Sequence, residues 1–195
     1  MKNSTNDQSI SFNQEMVTAI LNNRKTQTRR LIKPKKGGDI LFIDPNTAQA
    51  GESILIDEDT MSITIFSCPY GNIGDRLWVK EPFALVPATA FKNSIDVVQT
   101  INPENPEEVA VYAAGWQHAQ LITWSRPSEM PYWAHRISLE ITNIRTQSLQ
   151  DITSEDALQE GFLPESTVDE FAAFWGKERW DENPYVWTID FKLID

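Results

Sequence analysis

Hydrophobic and polar positions recur along this chain with two different periods, and the change of period marks its elements. Met16, Val17, Ile20 and Leu21 fall on one stripe at helical spacing. Ser11-Phe12-Asn13-Gln14 precedes them, with Ser11 and Gln14 in a capping-box pattern, and Asn22-Asn23 follows, since asparagine tolerates the left-handed backbone that closes a helix. Further on the pattern shortens to the alternation of strands: Ile40–Ile43, Ser53–Ile56, Ser62–Phe66, Arg76–Lys80, Ala110–Ala113 and Leu121–Trp124. Cys68-Pro69-Tyr70-Gly71 reads as a turn. The clearest strand is Arg136–Ile144, where Ile137, Leu139, Ile141 and Ile144 stand against Arg136, Ser138, Glu140 and Thr142. Thr153 can cap a short helix from Ser154 to Glu160 that Gly161 stops. Thr167 and Glu170 form a second capping box ahead of Phe171, Phe174 and Trp175, and Tyr185–Leu193 closes the chain as a strand.

Many strands, few short helices and no regular strand-helix-strand alternation predict an α+β fold built on a barrel-like sheet, in a single domain spanning 1–195. Pro82 to Pro106 carries few periodic signals and Ser125 to Pro131 is a loop with prolines near its ends, so the stretch around 82–131 is expected to be an inserted excursion. An apolar fraction of 41% is enough for a hydrophobic core. A lone cysteine, Cys68, cannot pair within the chain, and the polar segment Met1 to Asn13 lacks the apolar stretch of a secretion signal; a reducing, cytoplasmic setting is the expectation. No run approaches the ~20 apolar residues a membrane helix requires.

Charge narrows the chemistry. The chain carries 28 carboxylates against 17 lysines and arginines, a formal net charge of -11. Yet Arg24, Lys25, Arg29, Arg30, Lys33, Lys35 and Lys36 lie within thirteen residues that contain no acid. A protein that grips long duplexes spreads cations over a face, and the acidic remainder would oppose that beyond the Debye length of ~8 to 10 Å. A local basic pocket for a nucleoside, a nucleotide or a short strand is compatible with this balance. Two histidines, His118 and His135, and one cysteine offer no metal-ligand spacing, and no Walker, dinucleotide or nucleophile-elbow motif is present, so neither metal nor cofactor is expected. Within the basic segment Lys25 and Thr28 are three residues apart. A hydroxyl becomes a nucleophile when a base takes its proton, and a lysine can serve if burial or neighbouring cations lower its pKa. Arg24, Arg29 and Arg30 supply such cations; a carboxyl group to protonate a leaving nitrogen would complete the set. Most of the seven tryptophans sit in apolar strand or helix patterns, whereas Trp133, in Pro131-Tyr132-Trp133-Ala134-His135, is the candidate wall for a flat ring, with core packing as the competing role.

Asn23-Arg24-Lys25-Thr26-Gln27-Thr28-Arg29-Arg30 resembles the N-terminal signature of ASCH domains, a branch of the PUA-like superfamily. Gly74-Asp75-Arg76-Leu77-Trp78-Val79 is similar to the Gly-Asp strand entry of that fold, and Leu149 to Gly161 to its later short helix ending in Glu. The Cys-Pro-Tyr-Gly turn, Asn183-Pro184 and the closing strand with Trp187 and Phe191 resemble the larger ASCH form often encoded by phages and prophages. The resemblance implies a PUA-like β-barrel with flanking short helices and a cleft for nucleosides or nucleic acid. In the small bacterial ASCH enzymes that deacetylate N4-acetylcytidine, the functional lysine, threonine and glutamate match Lys25, Thr28 and Glu160. The implied reaction is amide hydrolysis, with Lys25 deprotonating Thr28, Thr28 attacking the acetyl carbonyl and Glu160 assisting the leaving amine; Arg24, Arg29, Arg30 and Trp133 would bind substrate. Other ASCH proteins are RNA-binding modules or ribonucleases, so a non-catalytic RNA- or DNA-binding module, a ribonuclease and a phage-encoded protein that contacts a host protein stand as alternatives.

Overall fold

The computed structural model describes residues 7–33, 52–57, 62–163 and 168–194. It is an α+β structure whose principal sheet has five strands: β1 (Gln8–Ser11), β2 (Gln27–Leu31), β5 (Arg76–Lys80), β9 (Ser138–Ser148) and β10 (Tyr185–Ile194), in the order β1-β5-β9-β10-β2. β1 runs parallel to β5, and the remaining neighbours are antiparallel. The ladder ends at β1 on one edge and β2 on the other, so among the described residues strand pairing does not close the sheet into the expected barrel. A hairpin of β3 (Glu52–Asp57) and β4 (Ser62–Ser67) stands as a separate ladder. The expected strand Ile40–Ile43 lies outside the described residues, as does Thr167 of the second capping box.

Helix α1 (Gln14–Leu21) covers one face of the sheet, and α2 (Ser154–Gln159), α3 (Val168–Trp175) and α4 (Lys177–Glu182) form a group on the other. The N-cap of α1 is Asn13, whose Oδ1 accepts from the Met16 amide at 2.8 Å; Ser11, the expected cap, belongs to β1 instead. Side chains of β10 divide by parity. Trp187, Ile189 and Phe191 enter the main core with Phe12, Val17, Ile20, Leu77, Leu139 and Ile141, while Val186 joins Leu149, Ala157 and Phe171 beneath α2 and α3. Burial on both faces is why the middle of the closing strand reads as an almost continuous apolar run. α4 escaped the sequence reading because Trp180 is its only large apolar residue; surface pairs Lys177–Asp181 (2.5 Å) and Arg179–Glu182 (3.1 Å) decorate it.

The stretch 82–131 carries structure of its own. β6 (Phe83–Pro87), β7 (Thr100–Ile101) and β8 (Glu108–Tyr112) form a three-stranded sheet ordered β6-β8-β7. β6 is a short run that ends in proline and β7 is only two residues long, so neither produces a readable alternation. The expected strand Leu121–Trp124 is not one: its neighbour Ser125 makes a single bridge to Phe83, and Trp124 packs instead on the cluster of Phe91, Val109 and Val111. No helix among the described residues is long and apolar enough to cross a membrane.

Candidate functional site

The basic segment enters the fold through a tight exit from α1. Asn23 adopts φ 55°, and the amides of Arg24 and Lys25 both donate to the Ala19 carbonyl, at 2.8 and 3.1 Å. The chain then straightens into β2 on the free edge of the sheet. Facing residues in an antiparallel pair share a side of the sheet. Thr28 opposes Ile189 and Arg30 opposes Trp187, so both lie on the main-core side; Gln27 opposes Asp190 and Arg29 opposes Thr188, on the side of α2 and α3.

Glu160 arrives from the other end of the chain. It caps the C-terminus of α2, and the next two amides close the helix: Gly161 donates to Leu158 O at 2.9 Å and Phe162 to Ala157 O at 3.2 Å. These are the two bonds of a Schellman ending, which needs a residue at positive φ, and Gly161 has φ 96°. Glycine is required there for space as well: a Cβ would stand 2.9 Å from the Ala19 Cβ and 3.0 Å from the Lys25 Cβ. Gly161→Ala is therefore expected to cost about 2 to 4 kcal/mol through backbone strain and overpacking combined. An unchanged urea midpoint would show that α2 does not press on Lys25 in this way.

This ending brings the Glu160 carboxylate onto Lys25. Lys25 Nζ donates to Glu160 Oε2 at 2.6 Å, to Gln27 O at 2.8 Å and to Glu160 O at 2.8 Å, so each ammonium hydrogen has an acceptor. Arg29 Nη1 donates to Glu160 Oε1 at 3.2 Å and also to Gln27 Oε1, and its Nη2 lies 3.1 Å from Asp156 Oδ2. Arg145 continues the network, 3.1 Å from Asp156 Oδ1 and 2.7 Å from Asp190 Oδ2. Gln27 Nε2 donates to Asp190 Oδ1 at 2.7 Å and Gln159 Oε1 at 3.0 Å. Lys25, at 2% exposure, and Glu160, at 5%, are almost sealed from solvent. Burial pulls the Lys25 ammonium below its ordinary range; Glu160 opposes that, while Arg30 and Arg29 add to it. Asp156, which burial alone would push up, is held below the ordinary range by the Thr153 amide and by Arg29.

Of the residues expected at the site, Lys25 and Glu160 meet directly, and Arg29 joins them. Arg29 is buried against carboxylates and so holds Glu160 in place, a different role from contacting substrate. Arg24 lies at the surface with Nη1 donating to Gly161 O at 3.1 Å. Arg30 rests over the Phe12 ring, 5.0 Å from its centroid, and donates to Ser11 O at 2.8 Å. Thr28 is buried, and among the described residues its hydroxyl makes no hydrogen bond to Lys25 or Glu160. Trp133 packs on the cluster of Phe83, Tyr112, Met130 and Ala134, which is separate from the residues around Lys25. Sequence reasoning missed Gln27, Arg145, Asp156 and Asp190, whose roles come from facing one another across four elements; only the parity of Gln27 and Arg29 on one strand hinted at it. Among the described residues no group of three or more His, Cys, Asp or Glu side chains converges as metal ligands would. Comparison with protein-family models, curated proteins and solved structures finds no match to this chain.

Proposed function

We propose that this is an ASCH-type, PUA-like protein that binds a modified nucleoside or short nucleic acid, and that Lys25, Thr28 and Glu160 act as an amidohydrolase centre for N4-acetylcytidine-type substrates. The observation that carries this reading is the 2.6 Å contact between Lys25 Nζ and Glu160 Oε2, which joins two motifs 135 residues apart in the pairing that the resemblance implies. A further contact favours the barrel-like part of it: Arg30 of edge strand β2 reaches the carbonyl of Ser11, the last residue of the opposite edge strand β1.

In this mechanism the Lys25 ammonium passes a proton to Glu160 along their hydrogen bond, leaving a neutral amine and a neutral acid. Burial, which disfavours the charged form of Lys25, acts in the direction of this transfer. The neutral amine then takes the Thr28 Oγ1 proton as the oxygen attacks the acetyl carbonyl, a step for which the two side chains, not hydrogen-bonded to each other at rest, have to meet. Glu160 protonates N4 as the C–N bond breaks, releasing cytidine and leaving acetyl-threonine. Water then cleaves the ester to acetate and restores the hydroxyl.

One observation favours a second reading, a non-catalytic RNA- or DNA-binding module: the Thr28 hydroxyl touches neither partner, and the Lys25–Glu160 pair is already satisfied within the protein. Thr28→Val separates the two. It keeps the shape and removes a hydroxyl that makes no hydrogen bond to the pair, so the urea midpoint should stay close to wild type. Acetate release from N4-acetylcytidine, followed by chromatography, should vanish in the variant if Thr28 is the nucleophile. Intact substrate after prolonged incubation with wild-type protein would exclude the amidohydrolase and leave the binding module.

A further inference from the structure

A cavity lies between the three-stranded sheet and the end of α1, lined by Leu21, Val97, Tyr112, Trp116, His118 and Arg136 among others, with a volume of about 190 Å³. Drug-sized ligands occupy cavities of ~300 Å³ or more, so this one suits a single ring system. Its walls are aromatic. Trp116 stands edge-on to Phe91 and Trp124, with centroids 5.2 and 5.3 Å away, and His118 lies 5.4 Å from the Trp116 ring. Arg136 stacks over Tyr112 at 4.1 Å.

The polar groups select the ligand. Arg136 Nε and Nη2 donate to the two carboxylate oxygens of Glu81 at 2.8 Å each, and Nη2 also to Ala114 O at 2.9 Å. Nη1 is left without a protein acceptor among the described residues. The guanidinium is thus neutralised from behind while a fixed N–H pair stays unclaimed, an arrangement that suits a carbonyl oxygen or ring nitrogen. Asp96, 3.1 Å from His118 Nε2, adds a negative charge at the rim and disfavours phosphate.

We infer that this cavity is a nucleobase subsite that takes an uncharged, carbonyl-bearing pyrimidine ring against Trp116, with Arg136 Nη1 as its donor. The choice of a nucleobase among planar amides rests on the function proposed above; the cavity and its donor do not. Leu21, one wall of the cavity, stands four residues before Lys25 in the chain.

The chain has two histidines, so imidazole NMR signals provide a local reporter. Titrating wild-type protein with uridine or cytidine should shift the His118 ring signals and leave those of His135 in place, while inorganic phosphate should do neither. Gln117→Trp, which fills the mouth from an exposed position, should weaken the nucleoside response by at least about tenfold, within the range that one base stack supplies. No His118 shift with either nucleoside up to its solubility limit would overturn the assignment. So would a shift produced by phosphate alone, or undiminished binding by folded Gln117→Trp. The acetate assay is a separate measurement on wild-type protein, so loss of the subsite and loss of the amidohydrolase reading are told apart.

Discussion

Lys25→Met is expected to abolish acetate release and to lower the unfolding free energy by about 3 to 5 kcal/mol, the usual result of removing one partner from a buried ion pair. Methionine replaces the length of the chain but none of its donors. The Glu160 carboxylate would keep Arg29 Nη1, at 3.2 Å, and lose the closer partner at 2.6 Å. The carbonyls of Gln27 and Glu160 would lose a donor as well. Adding Glu160→Met should recover part of the loss, because the second change removes the charge that the first left with Arg29 alone; a coupling of about 0.5 to 3 kcal/mol is the range for groups in one network. Strictly additive losses would show that the two side chains do not interact energetically.

The same pair gives a pH signature with a definite sign. Burial keeps the folded-state Lys25 pKa below its ordinary value of 10.5, so across the interval between the two values the unfolded chain binds more protons than the folded one. Stability from this group is complete above 10.5, falls as pH drops through the folded value, and so rises with pH over that window. Urea midpoints measured through the alkaline range should show this rise in wild type and lose it in Lys25→Met. An identical profile in both proteins would mean that Lys25 titrates as it does in the unfolded chain.

How much of this was legible depended on whether a signal is local. α1, β5, α2 and the closing strand follow from periodicity and from residues at their ends: Asn22-Asn23, Thr153 and Gly161 each act on their own few neighbours. β6 and β7 were not legible, since a short run ending in proline and a two-residue strand are defined by pairing with β8, many residues away. The site divides in the same way. Lys25 and Thr28 stand out because they are close in sequence within a basic run, and Glu160 was reached only through a resemblance. Asp156, Arg145 and Asp190 have no local mark, since an acid on a helix or an arginine on a strand reads as a solvated side chain until the tertiary fold places opposite charges together. Arg136 is the clearest case. Alternation with Ile137 and Leu139 assigns it to the outward side of the expected strand Arg136–Ile144, whereas β9 begins at Ser138, and nothing near Arg136 announces Glu81.

Arg136→Met is accordingly expected to destabilise the fold by about 3 to 5 kcal/mol at neutral pH, with a deficit that shrinks on acidification. Glu81 is 0% exposed and depends on the paired bonds from Arg136 Nε and Nη2. Burial already pushes its carboxyl above the ordinary 4.5, against the opposing pull of Arg136. For a raised carboxyl the folded state binds more protons than the unfolded one, so its contribution is complete below 4.5 and is lost as pH rises through the folded value. Removing the guanidinium takes away the opposing pull, raises the folded value further and extends that loss to higher pH. Protonation of Glu81 in acid cancels the unpaired charge, and only the contacts of Arg136 with Ala114 O and the Tyr112 ring remain missing. Those contacts tie the segment leading into β9 to the end of β8, so hydrogen exchange should quicken first in Glu108–Tyr112 and later in the middle of β10. Glu81→Gln should cost less, since glutamine still offers one acceptor to the guanidinium. A deficit in Arg136→Met that stays constant from acid to neutral pH would show that the ion pair is not what anchors the three-stranded sheet to the principal one.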